Sequence, residues 1–393
     1  MTDTLGESQV LSYLGRLSRD YGHTFHIVSA EKPDLLSLHG TRIRDYCRQN
    51  DLVWHPVSYH KHPPVISTIK DHFALRKKSY QLCQSEDIDL VHCRGYLPAL
   101  SGLSVKRRFH IPLIFDMRGF WPDEKIESGA WASILYKPIY SYFKDREKAF
   151  FRQSDRIVSL TQKGKEEILK QVDVPGDKIG VIPTCVDFTT FKAFDEATRN
   201  QVRHRLGIPS DAHVLVYSGS LGGNYDIRIP FAVFDAYQHE YPNAHFLILS
   251  RSNPNSVQEY ARLSGMPKDV VTVTSVPFPA VSDHLMAGDA GLIFYGEGFS
   301  NAGRSPTKLG EYWASGLPAI TFTGIGDVDT IVANYPGSGV VAKSLNSQDL
   351  RAALRELRHS ADAATLRQSA RDYYSLDKGV YFYQSLYSEL AGA

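Results

Sequence analysis

A chain of 393 residues is too long for one ordinary hydrophobic core and suits two domains of roughly 150–200 residues each. Apolar residues at 42% and charged residues at 22% are ordinary globular values, so disorder is not the default. A formal charge of +1, from 44 Lys and Arg against 43 Asp and Glu, argues against nucleic acid as the main partner.

The balance conceals an asymmetry, because residues 1–180 hold 27 Lys and Arg against 22 Asp and Glu. A basic first half can rest peripherally on a membrane or face an anionic acceptor, and a surplus this small also arises with no functional bearing. Cys47, Cys83, Cys93 and Cys185 lie scattered, without C-x-x-C spacing or a His cluster nearby. Neither a zinc site nor a disulfide framework is expected from them, which fits a reducing cytoplasm. The first twenty residues lack an apolar stretch of signal-peptide length, and runs such as 213-HVLVYSG-219 are strand-sized. The expectation is a cytoplasmic protein.

In chain order, the first half offers a helix at 8-SQVLSYLGRLSRD-20, with Val10, Leu11, Leu14 and Leu17 on one face and Ser8 as its cap. Strand candidates follow at 24–29, 51–57, 88–93, 111–116, 155–160 and 179–183. The second half repeats the rhythm with strands at 213–219, 244–250, 270–275, 289–295, 318–322 and 338–342. Short strands rich in Val, Ile and Leu, joined by helices, predict parallel sheets covered on both faces. The fold class is therefore α/β, with two doubly wound Rossmann-like domains at 1–183 and 184–375. A last helix within 376–393 is expected to cross back to the first domain. Such sheets bind ligands beyond the carboxyl ends of their strands, so those residues carry the functional reading.

The most informative segment is 304-RSPTKLGEYWASGLPAI-320. Pro306 is placed at the first helical position, and the free N–H groups of a helix start beside Arg304 and Lys308 suit a diphosphate. Glu311, one turn further, can accept hydrogen bonds from the vicinal hydroxyls of a ribose. A plainer alternative is a surface helix with a Lys308–Glu311 pair.

The run Pro-Thr-Lys-Leu-Gly-Glu-Tyr followed by Ala-Ser-Gly-Leu-Pro-Ala-Ile resembles the donor-binding segment of family-four retaining glycosyltransferases of the GT-B fold. The resemblance covers nearly the whole chain through 5-LGESQVLSYL-14, 31-EKP-33, 113-LIFDMRGFWPDE-124, 181-VIPTCVD-187, 217-YSGSLG-222 and 324-GIGDVD-329. It implies two Rossmann-like domains facing a central cleft. It also implies transfer of a hexose from a nucleotide diphosphate sugar to a glycan or lipid-linked acceptor with retained configuration. Donor contacts are then expected from Gly6, Gly219, Arg251, Arg304, Ser305, Thr307, Lys308 and Leu309, with Glu311 and Asp116 as catalytic candidates. His92, Arg94 and Arg118 are candidates on the acceptor side.

The chain departs from the family pattern twice. Eight residues before Glu311, where many members carry a second Glu, stands Gly303, and Glu297 is a weak substitute. After the first strand of the second domain, 219-GSLGGNY-225 has Ser220 and Tyr225 where many members place a diphosphate-clamping Arg and Lys. The resemblance further places Met1 already in the loop of Gly6, so the first strand of the first domain is missing and the true start is expected upstream.

Asp116 admits two uses, as an assisting group near the reacting atoms or as a turn cap paired with Arg118. His92 is equally open to a structural role. Trp121, Trp131 and 136-YKPIYSYF-143 read either as an acceptor or membrane platform or as core. Asp327 and Asp329 form a D-x-D that is better explained by helix capping, so neither metal nor other cofactor is expected. Two other classes fit the same shape: a nonhydrolysing nucleotide-sugar epimerase, and an inactive glycan-binding scaffold.

Overall fold

A computed structural model describes residues 1–222 and 225–392 of the chain. Its secondary structure divides between two compact units. One comprises Met1–Asp123, Trp131–Pro183 and the C-terminal helix Leu376–Ala391; the other comprises Glu124–Ala130 and Thr184–Ser375. Every ladder between named strands is parallel.

The second unit holds β7 (His213–Ser218), β8 (Ala244–Leu249), β9 (Val271–Thr274), β10 (Ala290–Leu292), β11 (Ala319–Phe322) and β12 (Gly339–Ala342). They form one sheet in the order β12-β11-β10-β7-β8-β9. Alternate residues of β7 enter opposite cores, Val214 and Val216 on one face and Leu215 and Tyr217 on the other. That two-sided burial explains the unbroken apolar run in its sequence. The order reverses between β7 and β10, which makes their carboxyl ends the topological switch point where such sheets bind ligands.

The first unit holds β1 (Phe25–Glu31), β2 (Leu52–Ser58), β3 (Val91–Arg94), β4 (Leu113–Asp116), β5 (Arg156–Ser159) and β6 (Ile179–Val181). Here the strands stand in two pieces, a β1-β2 pair and the four-stranded β3-β4-β5-β6 sheet. Among the described residues no ladder joins β1 to β3. Side chains of the C-terminal helix span the two pieces instead. The Tyr387 ring lies 6.0 Å from Phe25 on β1, and its hydroxyl is 2.8 Å from His92 Nδ1 on β3.

The first helix differs from its sequence reading. Helical turns run continuously from Thr4 to Tyr21, with a wide turn at Glu7–Leu11 that contains Ser8. The start is held by Asp3, whose carboxylate accepts the Gly6 N–H at 2.6 Å, so Ser8 is not the cap. An acceptor five residues nearer the start competes successfully because Asp also favours the positive end of the helix. No helix among the described residues is long and apolar enough to cross a membrane.

Candidate functional site

In the second unit the segment after β10 turns through Phe299–Gly303 and enters the helix Thr307–Ala314. Pro306 occupies the position before that helix instead of its first residue. Tyr312 fixes the helix at the switch point, since its hydroxyl accepts the Ser218 N–H at 3.1 Å and donates to the Leu292 carbonyl at 3.2 Å. Gly291 makes room for this ring, which a Cβ there would meet at 2.3 Å.

The helix start carries two cations over aromatic faces. Lys308 Nζ lies 5.9 Å from the ring centres of both Tyr217 and Tyr225, and the Arg304 guanidinium lies 4.7 Å from Tyr295. Such faces hold a cation by quadrupole attraction without neutralising it. Arg304 also reaches Ser300 at 3.4 Å and Glu124 at 3.5 Å, while its buried Nε has no hydrogen-bond partner. Gly219, directly past β7, has φ +152°, and a Cβ on it would stand 2.9 Å from Lys308 Cε. Burial pushes the Glu311 carboxyl up to about 7, against the downward pull of Lys308. Two cations, free helix N–H groups and a carboxylate thus converge at one strand end, a set suited to a diphosphate joined to a hydroxyl-bearing group.

Part of this wall comes from far away in sequence. Glu127 accepts the Ser300 N–H at 2.9 Å and bonds the Ser300 hydroxyl, so the 124–130 segment packs on the turn before Arg304. Gly298 accommodates it, because a Cβ there would lie 2.3 Å from the Glu127 carboxyl. Nothing in the sequence around residue 127 signals this partnership.

In the first unit β3 and β4 end side by side at Arg94 and Asp116. The Asp116 carboxylate is fully buried and receives Arg94 Nη1 at 3.2 Å and the Tyr383 hydroxyl at 3.2 Å. Arg118 Nη1 stands 3.7 Å from Oδ1 and His92 Nε2 3.7 Å from Oδ2. Burial alone would raise the carboxyl's pKa, but Arg118, His92 and Arg94 outweigh it and hold the group well below the usual carboxylate range. Arg118 adopts φ +60°, an unusual conformation for a residue with a side chain. Oδ1 of Asp116 and Nε2 of His92 are buried without a hydrogen-bond partner.

Residues 6–190 match the model of Glycosyltransferase Family 4. The chain is 23% identical over 285 residues to D-inositol 3-phosphate glycosyltransferase of Thermomonospora curvata, covering 69% of this chain and 63% of that protein. Thus the match spans less than two thirds of that relative's length. A glycosyltransferase from Rickettsia africae superposes with TM-score 0.70 at 14% identity, over 98% of this chain and 95% of its own. Anabaena HepE in complex with UDP and glucose gives TM-score 0.66 at 13% identity, over 93% and 99%. Residues 6–190 are thus similar to Glycosyltransferase Family 4. Its fold is that of the GT-B glycosyltransferases, with two Rossmann-like domains.

The expected donor residues divide. Gly219, Arg304, Lys308 and Glu311 come together, joined by Tyr217, Tyr225 and Tyr295, which the sequence reading did not select. Thr307 opens the helix and is half-buried. Ser305 is occupied structurally, its hydroxyl accepting the Thr184 N–H at 3.1 Å. Leu309 is wholly buried in the core, and its N–H bonds the Pro306 carbonyl. Arg251 stands exposed beyond β8, and no contact among the described residues brings it into the group. Glu297 is likewise exposed.

Gly6 is buried in the first unit, where a Cβ would come within 2.7 Å of Met1 Cα, so packing alone accounts for the glycine. Asp329, in the first turn of the helix Val328–Asn334, accepts from Thr323 Oγ1 at 2.6 Å and Gly324 N at 3.0 Å, which ties down the loop before the helix and does not cap it. Asp327 makes no side-chain cap to its helix. Trp121, Trp131 and Phe143 pack on one another, with Trp121 5.1 Å from Trp131 and 4.9 Å from Phe143.

Proposed function

We propose that this protein is a retaining glycosyltransferase that moves a hexose from a nucleotide diphosphate sugar to a glycan or lipid-linked acceptor without a metal ion. The observation that carries the proposal is the convergence of Lys308, Arg304 and the Thr307–Ala314 helix start on the switch point, with Glu311 one turn further. The match of residues 6–190 to Glycosyltransferase Family 4 and the UDP and glucose bound by Anabaena HepE support the same reading.

In this mechanism Lys308 and Arg304 bind the diphosphate, and Glu311 accepts the ribose hydroxyls. The bond from the anomeric carbon to the diphosphate oxygen breaks as the acceptor hydroxyl bonds to the same carbon on the same face. The acceptor proton passes to the departing phosphate oxygen, which gains the electron pair of the broken bond. Charge on the leaving group is met by fixed cations and helix N–H groups. Asp116, kept ionised by its arginines, assists by stabilising developing positive charge and forms no covalent bond.

A thermal-shift panel of nucleoside diphosphates and their sugars tests the donor site, since ligands binding only the folded state raise its stability by mass action. Nucleotide release that requires a saccharide acceptor completes the test. Conversion of the nucleotide sugar with no acceptor present would favour an epimerase, and binding without turnover a scaffold.

A further inference from the structure

We infer that the exposed face of the helix Ile66–Ser85, with the loop before it, docks the first unit onto an anionic lipid surface. Amphipathicity is inverted at the start of this helix. Ser67 and Asp71 are buried at 4% and 6% exposure, whereas Ile66, Ile69 and Phe73 are exposed at 65%, 50% and 51%. Asp71 tolerates burial because it accepts the His60 N–H at 2.8 Å and meets His60 Nδ1 at 2.6 Å. The opposite side of the helix is committed to β1, β2 and the helix Tyr96–Phe109. Positions 66, 69, 70, 73 and 77 are exposed and follow one another at helical spacing, so Ile, Ile, Lys, Phe and Lys form one stripe. Tyr59 and Val65 extend the apolar surface into the loop.

The charge of this surface has one sign. Between residues 59 and 78 stand Lys61, Lys70, Arg76, Lys77 and Lys78, and Asp71 is the single acid. Because that acid is buried, cations border the apolar stripe; Arg76 lies over the Phe73 ring at 4.7 Å. Large apolar side chains among lysines suit an interfacial helix, whose apolar side enters the acyl boundary while long cationic stems reach lipid phosphates. A protein partner fits less well, because the buried centres of protein interfaces are depleted in Lys.

The test uses the full chain with vesicles of phosphatidylcholine containing phosphatidylglycerol, compared with phosphatidylcholine alone. The wild type is expected to float with the anionic vesicles, at least about tenfold more strongly than with neutral ones, and to dissociate as salt rises. An Ile69→Ser/Phe73→Ser variant is expected to lose about tenfold or more of that binding. Lys70→Gln/Lys77→Gln is expected to lose the preference for phosphatidylglycerol. Both variants change exposed residues only, so unchanged thermal midpoints report intact folding. Absence of vesicle binding, or binding equal in the variants, overturns the inference. So does self-association in analytical ultracentrifugation that the serine variant abolishes without any vesicle binding, which would assign the face to a second copy. Vesicle binding needs no donor, so failure here leaves the transferase proposal untouched.

Discussion

Lys308 occupies the space that a side chain at residue 219 would need, since a Cβ there would lie 2.9 Å from its Cε and 3.1 Å from its Nζ. A side chain there would push the lysine from its place near Tyr217 and Tyr225, and φ +152° at this position itself favours glycine. Gly219→Ala should displace the ammonium group and weaken nucleoside diphosphate binding by about 1.5–3 kcal/mol, the range for a hydrogen bond to a charged group. Isothermal titration checks this. Unchanged affinity would show that Lys308 does not hold the diphosphate.

Direct removal of the cation gives the matching test. Lys308→Ala should cost about 1.5–3 kcal/mol in affinity for a nucleoside diphosphate and much less for the nucleoside. The fold should persist, because the lysine lies over ring faces, and Glu311, which it pulls downward, can take up a proton once the cation is gone. A uniform loss across both ligands would assign Lys308 to the base or ribose instead.

Glu311 makes two pH dependences run in opposite directions. Its folded-state pKa is raised to about 7, so its contribution to stability is full below the unfolded value and is lost as pH rises through about 7. Glu311→Gln should flatten this part of the stability profile, by an amount of order 1–3 kcal/mol across the window. Nucleotide affinity should instead rise over the same window, because the ionised carboxylate is the better acceptor for ribose hydroxyls. Affinity independent of pH from about two units below the transition to about one above it would remove Glu311 from the ribose site.

Much of this was legible in the sequence, for identifiable reasons. Each predicted strand has its counterpart because Val, Ile and Leu runs bounded by polar turns leave few alternatives. Lys308 and Glu311 were legible because one helix start carries both. The tyrosines were not, since Tyr217, Tyr225 and Tyr295 meet only after β7 and β10 pair, and each alone reads as core. The contact of Glu127 with Ser300 spans 173 positions and leaves no local trace. Where the side chains of Ser305 and Leu309 go was not legible either, because adjacency in sequence does not decide that one hydroxyl turns to Thr184 and one side chain to the core.

Chelation provides a separate test of the leaving-group chemistry. Asp329 already accepts from Thr323 Oγ1 and Gly324 N, so recruiting it to a metal would release the loop before its helix. Transfer should therefore survive EDTA with kcat changed less than about twofold, well under 1 kcal/mol of barrier. Activity lost to chelator and restored by manganese or magnesium would make Asp327 and Asp329 ligands after all.

Asp116 separates binding from turnover. Its carboxylate belongs to the first unit with Arg94, Arg118 and His92, whereas the residues assigned to the nucleotide belong to the second. Asp116→Asn should leave nucleoside diphosphate affinity within about twofold while lowering kcat by about a hundredfold or more, the scale of one lost electrostatic stabiliser. Removing a buried charge from between two arginines also costs stability, so thermal midpoints should be recorded beside the kinetics. Asp116→Glu distinguishes the two effects, because it restores the charge while shifting its position. Because the folded-state pKa lies below the usual carboxylate range, the group is ionised throughout neutral pH. The pH–rate profile should accordingly show no limb from Asp116 near neutrality. An Asp116→Asn enzyme with full kcat would reduce this aspartate to the partner of its arginines, holding the ends of β3 and β4 together.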